Sequence, residues 1–298
     1  GSIVPSSDLF YGGDTSKWLK LANSLKFRAL MRISSTRSVG AELQAIVNSG
    51  MVFGSNADNA QLSYLSAAPD ANPIWETIVD GARVEYKVNT VLVELLSSLS
   101  DPRLEVYAAP NDAGEIVGKP SGYGNQTTLP NEDLGYTYAG ISGLGEFYLN
   151  PELPGVIMSY SQLYFLMAEA ANKGYISGGL AAVNSFYNQG ITASFAANGL
   201  DAAEYLAQDG IAISSQADGT SKIATQQWIA LFGQGFETWT EWRRTKLPVL
   251  APAVEGDIAE IPSRFYYPTL EPSLNNANYQ TATSSIGGDL LTSTLFWQ

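Results

Sequence analysis

Four stretches of this 298-residue sequence repeat apolar side chains at helical spacing, and the segments between them are too rich in Gly and Pro to continue a helix. The first is expected over residues 17–34. It follows Asp14-Thr15-Ser16, whose oxygens suit an N-cap, and it sets Trp18, Leu21, Leu25, Ala29 and Ile33 on one face. The second is expected over residues 75–98, where Ile78, Val84, Val88, Val91, Leu92 and Leu95 carry the pattern and Asp101-Pro102 stops it. A third covers 156–173 and ends at Gly174, a residue suited to a left-handed C-cap. A fourth covers 223–244, interrupted at Gly233-Gln234-Gly235 and stopped by Pro248. Shorter helices fit 41–48, 180–196 and 202–208, and brief strands fit 62–65 and 104–108. Residues 105–155 hold nine Gly and five Pro, so a long loop is expected there, and another in the Asn-, Pro-, Ser- and Thr-rich tail from Glu255. The expected fold class is therefore mainly α, a helical scaffold with long irregular loops and a few short strands.

Neither Cys nor His occurs. That excludes disulfides, Cys/His zinc sites and any acid–base scheme that needs imidazole. Chemistry is left to carboxylates, Lys, Tyr, Ser and Thr. A formal net charge of −13 repels nucleic acid and anionic lipid, so no nucleic-acid partner is expected. No stretch approaches the roughly 18 continuous apolar residues of a membrane span. The opening Gly1-Ser2-Ile3-Val4-Pro5 lacks the basic-then-apolar order of a signal peptide.

The loop aromatics are the candidates for ligand contact. A sugar ring has an apolar face that packs on an aromatic plane, and amides can bond its hydroxyls. Tyr123 stands in Gly122-Tyr123-Gly124-Asn125-Gln126, Tyr136, Tyr138 and Tyr148 follow it, and Trp75 stands at a loop-to-helix junction after Asn72-Pro73. The candidate ligand-binding set is Trp75, Tyr123, Asn125, Tyr136, Tyr138 and Tyr148; each could equally anchor its loop to the scaffold. Trp228, Trp239 and Trp242 fall at helical spacing and read as core rather than as sugar platforms. Arg28, Arg32, Arg243, Arg244 and Arg264 could clamp an anion, but beside Trp residues on helices they read as braces paired with Glu169, Glu237, Glu241 or Glu271.

A glycan-cleaving enzyme would need two carboxyls about 5 to 9 Å apart, one of them protonated. Glu132-Asp133 and Glu255 with Asp257 are close in sequence, but nothing in the sequence shows burial or opposition across a pocket, so catalysis is not expected. No cofactor is expected either. Asn56-Ala57-Asp58-Asn59 offers oxygen ligands for Ca2+ without the spacing of an EF-hand loop.

Several segments together resemble the SusD/RagB-like lipoproteins. These are Asp8 to Asp14 with Trp18, Ala22-Asn23-Ser24-Leu25-Lys26-Phe27-Arg28 and Met31-Arg32; Asp101-Pro102-Arg103-Leu104; Ala168-Glu169-Ala170; Gln226 to Gly235 with Glu241-Trp242-Arg243-Arg244-Thr245; and Ile261-Pro262-Ser263-Arg264 with Tyr267-Pro268. Their order is the family's order, and they span nearly the whole chain. The resemblance implies a tetratricopeptide-type helical scaffold on the extracellular face of an outer membrane. It further implies a non-catalytic subunit that binds a glycan, or in RagB-type members a peptide, and delivers it to a SusC-like TonB-dependent porin. It also implies that residues 1–298 form the C-terminal part of such a domain, with a lipid anchor and further helices ahead of them. The alternatives are a glycan-cleaving enzyme using loop carboxylates and a structural subunit that closes the porin without holding ligand.

Overall fold

The computed structural model describes residues 4–124, 131 and 135–298. In chain order it contains α1 (Thr15–Arg32), α2 (Gly40–Ser49), β1 (Ala60–Leu62), α3 (Pro73–Trp75), α4 (Thr90–Ser98), α5 (Arg103–Tyr107) and β2 (Gly155–Met158). There follow α6 (Tyr160–Asn172), α7 (Gly179–Ala197), α8 (Ala203–Leu206), α9 (Gln216–Ala230), α10 (Gly235–Thr245), α11 (Glu271–Leu274) and α12 (Asn276–Ser285). The fold is mostly helical, and among the described residues two strands form one antiparallel pair with Ala60 opposite Met158 and Leu62 opposite Gly155.

The hub is α6. Eleven of its thirteen residues are buried, and it is wrapped by α1, α7 and α9. Ser159 caps it by accepting a bond from Gln162 N, and Gly174 beyond its end takes φ +73°. Phe165 and Leu166 of α6, Phe27 and Met31 of α1, and Tyr187 and Ile191 of α7 are all fully or almost fully buried in one core.

Two ionic clusters lie against that core. On α10, Arg244 makes a bidentate pair with Glu169 of α6, both contacts 2.6 Å, and also bonds Glu241 at 2.6 Å. Arg28 and Arg32 of α1 reach Glu237 on the same α10 face. Burial pushes the Glu169 carboxyl up, but Arg244 and Lys173 outweigh it and hold it at about 2. The second cluster is fully enclosed. Arg103 and Asp101 have no exposed side-chain surface, and Arg103 also donates to Ser194 Oγ at 2.9 Å and to Gln226 Oε1 at 2.6 Å. Its guanidinium lies 4.8 Å from the Phe195 ring centre, so α5, α7 and α9 close around one cation. Thus Arg28, Arg32 and Arg244 brace helices as expected. Arg264 pairs with Asp289 rather than Glu271, and Arg243 packs on the rings of Trp239 and Trp297. Near the start of the chain, Asp8 accepts bonds from Phe10 N, Gly13 N and Trp18 Nε1, which gives the Asp8-to-Trp18 pattern its structural meaning.

Several expected elements differ. The helix expected over 75–98 is interrupted: a π-helical turn over Glu76–Asp80 ends at Gly81, the chain runs irregularly, and Asn89 starts α4 by accepting a bond from Val91 N at 2.8 Å. An Asn cap inside an apolar run competes with helix continuation. Residues 104–108 belong to helix rather than strand through Tyr107, because Asp101 receives Arg103 N at 3.0 Å and opens a helical turn. Residues 156–158, expected at the start of a helix, pair with β1 instead. The 223–244 helix is two helices, α9 and α10, broken where Gly233 takes φ +82°. The Asn56–Asp58 turn is no open oxygen cradle, since Asp58 is held by Lys20 Nζ and Gly54 N. Among the described residues no group of three or more acidic side chains converges.

Candidate ligand-binding groove

The groove forms where three segments distant in sequence meet. Lys119 N donates to Val88 O at 2.7 Å, and Thr90 N donates to Lys119 O at 3.0 Å, a short parallel bridge between the start of α4 and the 118–124 segment. The approach is so close that a β-carbon at Gly118 would overlap Thr90 Cα. On the other side of the same segment, Glu255 N donates to Gly122 O at 2.7 Å, and Gly124 N to Glu255 Oε2 at 2.7 Å. Gly122 is at φ +88°, where a β-carbon would stand 2.7 Å from Ala253 Cα. Two glycines therefore let the segment carrying Lys119 and Tyr123 lie tight between α4 and the chain after α10.

Three adjoining cavities open along this junction, and Asn89 lines all three. The first, about 440 Å³, is walled by Trp228 of α9 and Trp239 and Trp242 of α10, with Leu92, Leu231 and Phe232. The second, about 330 Å³, is polar, lined by Lys87, Asn89, Lys119, Ser121 and Tyr123. The third, about 580 Å³, returns to Trp228 and runs along Leu250, Pro252 and Ile258 to Asp257 and Glu260. Asn89 Nδ2 donates to Ser121 Oγ at 2.7 Å, so the Ser121 hydroxyl keeps its own proton to donate. Trp239 Nε1 donates to Pro262 O at 3.2 Å, and Trp242 Nε1 to Pro248 O at 3.1 Å. Trp228 Nε1 has no partner among the described residues, which leaves a half-buried indole with a free donor at the centre of the groove. Apolar plates beside amide and hydroxyl groups are what a sugar polymer requires of a binding surface.

Of the six residues singled out from the sequence, Tyr123 lines this groove. Tyr138 stands at its margin, half exposed, with its carbonyl accepting from Lys87 Nζ at 3.2 Å. Tyr136 is partly buried in the same loop, its N–H bonded to Asn131 O at 2.9 Å. Trp75 ends α3 outside the groove. Asn125 lies outside the described residues. Tyr148 belongs to the scaffold: its hydroxyl donates to Asn198 Oδ1 at 2.9 Å and its ring meets Tyr107 and Phe232 edge-on. Burial raises the Tyr148 hydroxyl well above its ordinary value. Tyr148 borders a separate cavity of about 150 Å³ with Asn56, Asn59, Asn72 and Asn198.

Lys87, Asn89, Lys119 and Trp228 are groove residues that sequence reasoning did not select. Signals existed: Asn89-Thr90 is N-cap material, and Lys119 sits between two glycines four residues apart. Trp242 is buried, as read from the sequence, yet it shares a wall with Trp228 and Trp239, which are only partly buried. Of the carboxylates weighed for catalysis, Glu132 and Asp133 lie outside the described residues, Glu255 is engaged by Gly124 N, and Asp257 is exposed.

A profile of SusD-like proteins, described as starch-binding and associating with the outer membrane, matches residues 1–268. A comparison with curated proteins gives no match. Among solved structures, the fold is similar to a SusD-like protein from Bacteroides thetaiotaomicron VPI-5482, 29% identical over 99% of this chain and 66% of that one, with TM-score 0.81. A chitin-binding protein is 28% identical over 100% of this chain and 67% of its own, also at 0.81. A chitin-binding SusD homolog from Flavobacterium johnsoniae, 23% identical with the same coverages and TM-score 0.82, shares the fold. The chain spans about two thirds of the length of these proteins. No described helix is long and apolar enough to cross a membrane. The match covers the walls of the first cavity, from Lys87 to Ile261, and the chain belongs to the SusD-like family of outer-membrane-associated proteins.

Proposed function

We propose that the chain is the glycan-capturing part of an outer-membrane nutrient-uptake protein. It holds its ligand in the groove around Asn89 and passes it on uncleaved. The observation that carries this reading is the half-buried Trp228, shared by the first and third cavities and set between polar groups on α4 and the 118–124 segment. Stacking on an indole face contributes affinity without needing one sugar geometry, and Asn89, Ser121 and Tyr123 add hydrogen bonds that orient the ring. Capture of this kind forms no covalent bond and uses no cofactor. The names of two similar structures, both chitin-binding, favour a polysaccharide over a peptide.

Family membership supports placing the protein at the outer membrane. We extend this to its extracellular face, beside a SusC-like TonB-dependent porin that accepts the ligand. Calorimetric titration of the protein with starch and chitin oligosaccharides and a wider glycan panel, with product analysis of the same samples, tests the reading. Binding without products, lost in Trp228→Ala, is expected. Products would replace the binding role with an enzymatic one, and a glycan bound equally well by Trp228→Ala would place the site elsewhere.

A further inference from the structure

The groove is not chemically uniform. Its second cavity presents hydrogen-bond donors and positive charge, and among the described residues no acidic side chain lines it. Lys119 Nζ makes no hydrogen bond or ion pair among the described residues, so all three of its N–H groups are free. Lys87 Nζ donates to Tyr138 O at 3.2 Å and Ile141 O at 3.0 Å, two neutral carbonyls, which leave its charge unanswered and one N–H over. The Ser121 hydroxyl, already accepting from Asn89 Nδ2, adds another donor. Glu85 senses the Lys119 charge but makes its ion pair with Arg83. Among the described lining residues the acids, Asp257 and Glu260, belong to the third cavity, and the nearby Glu255 carboxylate is taken by Gly124 N at 2.7 Å.

This pairing of unneutralised lysines stands out in a chain with 16 basic residues against 29 acidic ones. Most ammonium and guanidinium groups in the scaffold bond carboxylates: Lys20 with Asp58, Lys173 with Glu169, Lys222 with Asp218, Arg244 with Glu169. Two lysines lining one cavity with no acid among its described lining residues give it a positive field, which an anionic ligand group would answer. Their placement is not accidental to a floppy loop either, because the Val88–Lys119–Thr90 backbone bonds hold both ends of the pair at the start of α4.

The geometry points to an acidic glycan as the ligand class: a polymer whose carboxylate or sulfate substituent enters the Lys87–Lys119 cavity while a neighbouring ring stacks on Trp228. The inference rests on the groove being the glycan site, and it adds the charge of the sugar to that reading. One charge-assisted hydrogen bond at a half-exposed site is worth roughly tenfold in affinity.

The test is calorimetric titration, at one ionic strength, with matched pairs. Oligogalacturonate is compared with its methyl ester, alginate oligomers with theirs, and sulfated glycosaminoglycan oligomers with their desulfated forms. The intact protein is set against Lys119→Gln, Lys87→Gln, Trp228→Ala and the exposed control Lys26→Gln. At least one acidic member should bind about tenfold more tightly than its neutral partner. Lys119→Gln or Lys87→Gln should bring that ratio close to one while neutral binding persists, and Lys26→Gln should leave it unchanged. Neutral glycans bound in a Trp228-dependent way, with no acidic preference or with one that survives both lysine variants, would overturn the acidic-ligand inference and leave the groove standing. No glycan bound by any form would remove both.

Discussion

Asn89 serves two bonds at once: its Oδ1 accepts from Val91 N at 2.8 Å as the cap of α4, and its Nδ2 donates to Ser121 Oγ at 2.7 Å across the groove. The residue that starts a helix is also the one that ties the helix to the segment carrying Tyr123. Stability and ligand geometry are thereby linked at one side chain. Asn89→Ala should cost about 1 kcal/mol of unfolding free energy, the usual loss for a side-chain cap, and should weaken glycan binding by more than that loss explains. Denaturant titration beside calorimetry separates the two effects; unchanged binding in a destabilised variant would confine Asn89 to capping.

Trp228→Ala should lower glycan affinity at least tenfold, and Trp228→Phe should recover most of it, because a phenyl ring keeps the stacking plane and loses only the indole N–H. Both variants unfold earlier than the parent, since Trp228 also packs beside Leu92, Leu96 and Ile229. Equal affinity losses in the two would assign the effect to the Nε1 donor instead.

Gly118→Ala should destabilise the protein by about 2 kcal/mol or more, because the added methyl meets the Thr90 backbone, which has no rotamer with which to yield. The same change should displace Lys119 and weaken binding of any ligand in the second cavity. Thermal unfolding and titration with the best ligand of the panel check both parts.

Glu169 gives a pH signature. Its carboxyl sits at about 2 in the folded protein against an ordinary value of 4.5, so the folded state favours the ionised form. The stability it contributes is fully present above pH 4.5 and is lost as the pH falls toward 2. Glu169→Gln should flatten the loss of stability over that window. At neutral pH it should cost about 3 kcal/mol, because Arg244 keeps only Glu241 as a partner in a buried setting. Urea midpoints measured from pH 7 to pH 2 for both proteins test the sign and the window.

The helices whose signals are local were legible in the chain. Asp14 before Trp18 starts α1, Gly174 follows α6, and Gly233 to Gly235 divide α9 from α10. The ordered family segments were legible too, and their reasons are now physical: Asp8 collects the Trp18 indole, Asp101 and Arg103 form an enclosed pair, and Arg244 clamps Glu169. Residues 104–108 and 156–158 differ from expectation because a short apolar run fits helix and strand equally well, and the choice falls to the Arg103 N–Asp101 Oδ1 bond in one case and a strand partner at Ala60 in the other.

The helical scaffold, the lack of thiol and imidazole chemistry and the family resemblance can all be read from the chain in one dimension, because they rest on periodicity, composition and motif order. The groove, by contrast, exists only in three dimensions. Lys87, Lys119, Trp228 and Asp257 become neighbours along one cleft through backbone bonds at Val88, Thr90 and Glu255 that join segments far apart in the chain. No local preference encodes such a meeting; it exists because burial of the core holds those segments at a distance where two glycines let the backbones touch.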